Sequence, residues 1–226
     1  MNGFFITGTD TGVGKTLCAA GLLEAFKQQG LSTIAMKPVA SGCDETPHGL
    51  RNEDAVLMMQ HMTAEASYEE VNPYAFIPPM APHLAAARQS LTINSDELVE
   101  QAKQLSLRAD RIVIEGAGGW LAPLNETQSL ADLAIQFELP VILVVGIRLG
   151  CLNHALLTVE HIRTCGGRLA GWIANTGLAE TADCIDIKEN VATLVSRIPA
   201  PLIGQLPRIE NQDISVVASK LDVSSL

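Results

Sequence analysis

Gly8-Thr9-Asp10-Thr11-Gly12-Val13-Gly14-Lys15-Thr16 follows the apolar Phe4-Phe5-Ile6-Thr7 and runs directly into Leu17-Cys18-Ala19-Ala20-Gly21-Leu22-Leu23. A buried strand, a glycine-rich turn and a helix in this order make a phosphate-binding loop. The glycines let the backbone turn its N–H groups inward, and the helix N-terminus adds partial positive charge. Lys15 is placed to reach the outer phosphates, and the Thr16 hydroxyl to meet a magnesium ion. The spacing is not the strict GxxxxGK[ST], which would put the first glycine at position 9 rather than at Gly8. The reading therefore rests on Gly14-Lys15-Thr16 in its strand–loop–helix setting.

Outward from this loop, short apolar runs recur at Ile34 to Lys37, Arg111 to Glu115, Val141 to Gly146, Ala170 to Ala174 and Leu202 to Leu206. Helical periods separate them, at Lys15 to Gln29, Asp54 to His61, Ser95 to Leu107, Leu130 to Glu138, His154 to Thr164 and roughly Ile185 to Ser196. Strand alternating with helix predicts a three-layer, doubly wound, mostly parallel α/β sheet with ligands at the carboxyl ends of its strands. The expectation is one domain over residues 1–226, with the Pro-rich Asn72 to His83 stretch an ordered loop inside it. Only five Phe, two Trp and two Tyr occur, so the core should be aliphatic, as suits strands covered on both faces.

The 226 residues are 47% apolar and 18% charged, a globular balance that excludes disorder. A net charge of −10 opposes nucleic-acid backbones. Five cysteines without a CxxC pair argue against a disulfide framework and a zinc site. Met1-Asn2-Gly3 enters the first strand without a basic segment or cleavage site, and no apolar run approaches the length of a membrane span. A cytoplasmic protein with neither nucleic-acid nor membrane partners is expected.

Polar residues at strand ends are the next signal. Lys37 closes the run Ile34-Ala35-Met36, where a buried ammonium needs an anion. Glu115 closes Arg111-Ile112-Val113-Ile114 and opens Gly116-Ala117-Gly118-Gly119, the place for an acid that holds magnesium beside a phosphate. Asp54 opens a helix and by itself reads as a cap more readily than as a second magnesium ligand. Asn153 reads as the N-cap of the helix after Val141 to Val145, with free N–H groups that suit a carboxylate. Asn175 ends a strand, where its amide can donate and accept against an adenine edge. The histidines show no metal-ligand spacing, and no nucleophile–histidine pattern emerges.

The chain also carries, in one order, Gly8 to Thr16, Lys37-Pro38-Val39-Ala40-Ser41-Gly42, Asn72-Pro73-Tyr74, Pro82-His83-Leu84, Glu115-Gly116-Ala117-Gly118-Gly119-Trp120, Gly150-Cys151-Leu152-Asn153-His154 and Gly171-Trp172-Ile173-Ala174-Asn175. With these blocks, spread over most of its length, it resembles the ATP-dependent dethiobiotin synthetases. The resemblance implies a P-loop NTPase-like enzyme that closes the ureido ring of dethiobiotin from 7,8-diaminononanoate, CO2 and ATP, with Mg2+, as a homodimer. By position it implies catalytic roles for Lys37 and Lys15, and a magnesium set of Thr16, Asp54 and Glu115. Substrate contacts would come from Thr11, Ser41 and the loop Gly150, Cys151, Leu152 and Asn153, the last reaching across the dimer. ATP would be held by Gly12, Val13, Gly14, Lys15, Thr16, Leu17, Asp54, Glu115, Gly116, Ala117 and Gly118, with Asn175, Thr176, Pro207, Arg208 and Ile209 around adenine. Two departures mark this chain. Gly12 stands where many relatives have an acid, and no tyrosine follows Tyr74, although some relatives use one near the substrate carboxylate.

A different class is built on the same kind of loop: the membrane-positioning or partition ATPase, a dimeric switch with a lysine early in the loop, as in GKGGxGKT. That position here is Asp10, of opposite charge. The tail from Glu210 to Leu226 has Lys220 as its only base, which does not make a basic membrane helix.

Overall fold

The computed structural model describes residues 1–178, 186–224 and 226. In chain order its elements are β1 (Gly3–Gly8), α1 (Lys15–Gln28), β2 (Thr33–Met36), β3 (Val39–Ser41), β4 (Asp44–Thr46), β5 (Gly49–Arg51), α2 (Glu53–His61), α3 (Tyr68–Val71), β6 (Tyr74–Phe76) and α4 (Pro82–Arg88). They continue with α5 (Ser95–Ser106), β7 (Arg111–Glu115), α6 (Leu130–Gln136), β8 (Val141–Gly146), α7 (Cys151–Thr164), β9 (Leu169–Asn175), α8 (Ile187–Arg197), β10 (Leu202–Leu206) and α9 (Ile214–Ala218).

The main sheet runs β10-β9-β8-β1-β7-β2, and every neighbouring pair is parallel. From β1 the chain moves to the far edge at β2, fills the gap with β7, then crosses to β8 on the other side. The order reverses at β1, so the crevice at a doubly wound sheet's switch point opens at Gly8, where the glycine-rich loop begins. Side chains alternate across the sheet with period two. Phe4 and Ile6 face one aliphatic layer with Leu22, Phe26 and Val217, whereas Phe5 faces the opposite layer with Ile114, Leu133 and Phe137. The expected three layers and aliphatic core are present.

Smaller elements build a lip above the carboxyl ends. Strands β3 and β6 pair in parallel, and β4 and β5 form a hairpin. The Pro-rich stretch expected to be a loop therefore contains β6 and the start of α4, where Pro82 occupies a position that needs no N–H donor. Helix α7 begins at Cys151, not at His154. Its N-cap is Gly150, with a left-handed φ of 92°, so Asn153 is not the cap but an exposed residue of the first turn. The helix expected from roughly Ile185 starts at Ile187, capped by the Asp186 carboxylate; Ile185 and Cys184 lie outside the described residues.

The tail contributes packing that no motif announced. Helix α9 lies on α1, and a Cβ at Gly21 would fall 2.4 Å from Val217 Cγ1, so only glycine permits this approach. On the opposite layer Phe5 is fully buried, its ring 5.9 Å from that of Phe137 and 6.5 Å from that of Trp120. Phe5→Ala should destabilise the protein by about 3–5 kcal/mol, because these rings cannot collapse fully into the space left behind. The shift in a urea unfolding midpoint measures it.

Candidate active site

Helix α1 starts with Lys15 behind Gly14, whose φ of 89° only glycine adopts freely, and has neither a capping side chain nor an acid in its first turn. Its first N–H groups are thus left for an anion. The Lys15 ammonium rests on the Asp10 carbonyl at 3.0 Å. Burial pushes that ammonium down to about 8, against the opposing pull of Glu115.

Lys37 lies immediately beyond β2, with its side chain 4% exposed. Its Nζ donates to Glu115 Oε1 at 2.7 Å and to Asp54 Oδ2 at 2.9 Å. The Thr16 hydroxyl donates to the same Glu115 oxygen at 3.0 Å. Burial disfavours the charge on Lys37, but the two carboxylates outweigh it and hold its pKa above the ordinary lysine value. Burial likewise raises Glu115, an effect that Lys37 only partly offsets. For Asp54, burial is outweighed by the Lys37 ammonium and the carboxyl stays below its usual range. Two ammoniums and two carboxylates therefore meet in one place, and the site is charge-balanced rather than a bare cationic patch.

These groups border a cavity of about 820 Å³. Of the residues expected at the site, it brings together Thr11, Gly12, Gly14, Lys15, Thr16, Leu17, Lys37, Ser41, Asp54, Glu115, Ala117, Gly118 and Asn175. Val13 and Gly116 sit behind this wall; the Gly116 carbonyl accepts from Lys37 at 3.5 Å. Thr176, Pro207, Arg208 and Ile209 do not border the cavity but follow β9 and β10 just beside Asn175. There the Thr176 hydroxyl donates to the Leu206 carbonyl, and Gly177 lies against the Pro207–Arg208 backbone. Gly150, Cys151, Leu152 and Asn153 are also off the cavity, at the start of α7. The loop before them is tied to the phosphate loop by an Arg148–Asp10 ion pair of 2.5 Å.

Asn175 is buried, with its amide oriented from both ends. Nδ2 donates to the Val13 carbonyl at 3.0 Å and Oδ1 accepts from Gly177 N–H at 3.1 Å, so it ties the phosphate loop to β9. Asp54 is not a helix cap. Asn52 holds that position and accepts from the backbone N–H groups of Asp54 and Ala55, which leaves the Asp54 carboxylate for Lys37. Sequence reasoning missed the apolar wall of Pro79, Met80, Ala81 and Pro82, and also Gln212 in the tail. Asn52 before Glu53-Asp54 was a readable capping signal; the wall and Gln212 carried none.

Two buried oxygens that belong to this cavity's lining residues, Glu115 Oε2 and Ser41 Oγ, are left without protein partners. Such orphans are expected where a ligand supplies the missing contact. Among the described residues no cluster of three or more His, Cys, Asp or Glu could hold a metal. Two carboxylates and a hydroxyl beside a phosphate loop nonetheless suit magnesium, which takes few protein oxygens when phosphates fill its other positions.

A family model described as an AAA domain matches residues 2–213. The protein named ATP-dependent dethiobiotin synthetase BioD from Pseudomonas aeruginosa strain UCBPP-PA14 is 49% identical over 227 residues, covering 100% of this chain and 98% of its own. The protein of the same name from Cellvibrio japonicus is 48% identical, over 99% and 96%. The chain belongs to the ATP-dependent dethiobiotin synthetase family. As a member of that synthetase family it is an enzyme, on a fold it shares with more distant proteins. In the MinC:MinD cell division complex of Aquifex aeolicus, a chain superposes with a TM-score of 0.58 at 15% identity, covering 98% of this chain and 86% of that one. MinD from Pyrococcus horikoshii gives 0.56 at 16%, over 98% and 87%. These likenesses show the P-loop NTPase fold alone. Among the described residues, no helix is long and apolar enough to cross a membrane.

The Lys15 titration has a measurable consequence. If Lys15 holds phosphates, as proposed below, it must be protonated when they are bound. Nucleotide affinity should therefore be flat below about pH 8 and fall by up to about tenfold per pH unit above it, as binding becomes coupled to proton uptake. Calorimetric titration across this range checks it, and Lys15→Met should lose the dependence together with most of the affinity.

Proposed function

We propose that this chain, acting as one synthetase domain over residues 1–226, makes dethiobiotin in biotin biosynthesis from 7,8-diaminononanoate, CO2 and ATP, releasing ADP and phosphate. The observation that carries this reading is Lys37 buried between Glu115 and Asp54 in the same cavity as the phosphate loop.

One amine of the diamine forms a carbamate with CO2. A carbamate oxygen attacks the γ-phosphorus, the bond to ADP breaks, and a carbamic–phosphoric anhydride results. The second amine then attacks the anhydride carbonyl, closes the ring and expels phosphate, with the amine protons passing to solvent. Negative charge accumulates where carbamate and γ-phosphate meet, so the work of the protein is positioning and charge stabilisation. Lys15, swinging from the Asp10 carbonyl, holds the β and γ phosphates with the N–H groups of Gly12 to Leu17. Lys37 faces the transferring phosphoryl group. The unpartnered Ser41 hydroxyl meets the diamine or its carbamate, beside Thr11. Gly116 to Gly118 line the nucleotide, and Asn175, Thr176 and Pro207 to Ile209 surround the adenine.

Thr16, Asp54 and Glu115 would hold magnesium, with the orphaned Glu115 Oε2 a natural ligand oxygen. When bound, the ion neutralises charge on the β and γ phosphates. A second copy would supply Gly150, Cys151, Leu152 and Asn153 to the substrate carboxylate. The exposed Leu149 and Leu157 around them, 83% and 63% accessible, suit burial in a homodimer. Gly12 leaves no acid at the mouth of the loop to orient the diamine. The chain is proposed to work in the cytoplasm.

Incubation with diaminononanoate, labelled bicarbonate and MgATP should place label in a cyclic urea; no label from a folded, nucleotide-binding protein sinks the reading. Lys37→Gln should lower turnover by at least about 10²–10³-fold, as loss of one preorganised donor does elsewhere, while nucleotide binding largely survives. Near-normal turnover would mean that Lys37 does not stabilise the phosphoryl group in flight.

A further inference from the structure

Helix α3 (Tyr68–Val71) is a single turn outside the cavity, and its contacts close a ring of hydrogen bonds on the two groups that carry the proposed chemistry. Val71 O accepts the Lys37 N–H at 2.8 Å. One residue on, Asn72 Nδ2 donates to the Lys37 carbonyl at 2.7 Å, so the lysine backbone is gripped through both its polar groups. Asn72 Oδ1 in turn accepts from the Tyr68 hydroxyl at 2.9 Å, and that hydroxyl accepts from Asn52 N–H at 2.7 Å. The Asn52 side chain holds the N–H of Asp54 at 3.1 Å, and the Asp54 carboxylate returns to Lys37 Nζ at 2.9 Å. Tyr68, Asn72 and Asn52 are 8%, 2% and 7% exposed, so water does not substitute for these bonds.

We infer that the Tyr68 hydroxyl and the Asn72 amide are positioning residues, which set the distance between Lys37 and Asp54 and thereby both the phosphoryl-stabilising charge and the magnesium oxygens. The hydroxyl is the one atom in the ring that donates to one arm and accepts from the other. It holds Asn72 Oδ1 while Nδ2 is held by the Lys37 carbonyl and, at 3.3 Å, by the Tyr74 carbonyl, so the amide is anchored at both ends. A phenyl ring at position 68 would fill the same space yet leave the Asn52 N–H and Asn72 Oδ1 unmatched, which cuts the link between the Lys37 and Asp54 arms. The Arg51 guanidinium over the ring, 4.0 Å from its centroid, touches the aromatic face and takes no part in the ring of bonds.

This inference rests on the function proposed above, and the test separates the two. In Tyr68→Phe, kcat should fall about 10- to 100-fold and the magnesium concentration giving half-maximal nucleotide binding should rise about tenfold, with KM for the diamine unchanged. Arg51→Ala removes the contact on the ring face, an ion pair to Glu69 and a bond to the Leu50 carbonyl but none of the bonds in the ring, and should leave all three at wild-type values. Asn72→Asp keeps the acceptor for Tyr68 but loses the donor to Lys37, and should reproduce the Tyr68→Phe pattern; it decides the matter if Tyr68→Phe does not fold. A folded variant of either kind with wild-type kcat and wild-type magnesium dependence overturns the inference. A wild-type protein that makes no dethiobiotin overturns the proposed function instead, and the magnesium dependence of calorimetric nucleotide binding still decides the positioning role.

Discussion

The buried contact between Lys37 and Glu115 is the constraint around which the rest is arranged. Both side chains are almost fully removed from water, where an isolated ion of either sign is very costly. Close approach offsets that cost only if the remaining polar atoms are also met, and here they are met by Asp54, Thr16 and the Gly116 carbonyl. Each of these comes from a different part of the chain: β2 and the helix after the hairpin on one side of the crevice, the phosphate loop and the end of β7 on the other. A buried pair is weak grounds for stability in itself, since a well-packed apolar pair of equal volume often serves a fold better. Its value here lies in placing charge where a phosphate would arrive.

The same contact qualifies what the chain's overall acidity means. Lys15 and Lys37 are each engaged by protein oxygen, so nothing in the cavity resembles a strong anion trap. In the proposed function, a nucleotide entering it would displace the Lys15–Asp10 contact and meet the first N–H groups of α1. Selectivity for a small polyphosphate over bulk anions then comes from shape and from the need to satisfy several donors at once, not from net field.

Much of this was legible in the sequence because it depends on local patterns. The strand–loop–helix unit at Gly8 to Thr16 and the polar residues that terminate apolar runs, Lys37, Glu115 and Asn175, are all where alternation and turn chemistry put them. The rest depends on chain segments distant in sequence. Asn153 looked like a cap because an amide precedes a helical period, but Gly150 can adopt the left-handed turn and takes the position first. Asp54 looked like a cap because its carboxylate opens a helical period; Asn52, two residues earlier, displaced it. The Pro-rich stretch concealed β6, since three residues paired to β3 leave no periodicity to detect. The tail carried no motif, yet Val217 decides why Gly21 must be glycine. Asn72 stood out only as part of a sequence block and Tyr68 not at all, because their significance is a closed circuit of bonds that exists only once three separate segments have met.

The Asp10–Arg148 ion pair, lastly, joins residues 138 positions apart while both side chains remain about half exposed. An exposed pair of this kind contributes at most about 1 kcal/mol, little more than thermal energy, and ionic strength weakens it further. It acts as a latch rather than a rivet. The pair itself can part and rejoin at almost no cost, unlike the buried bonds of Lys37 and Glu115 at the floor of the crevice.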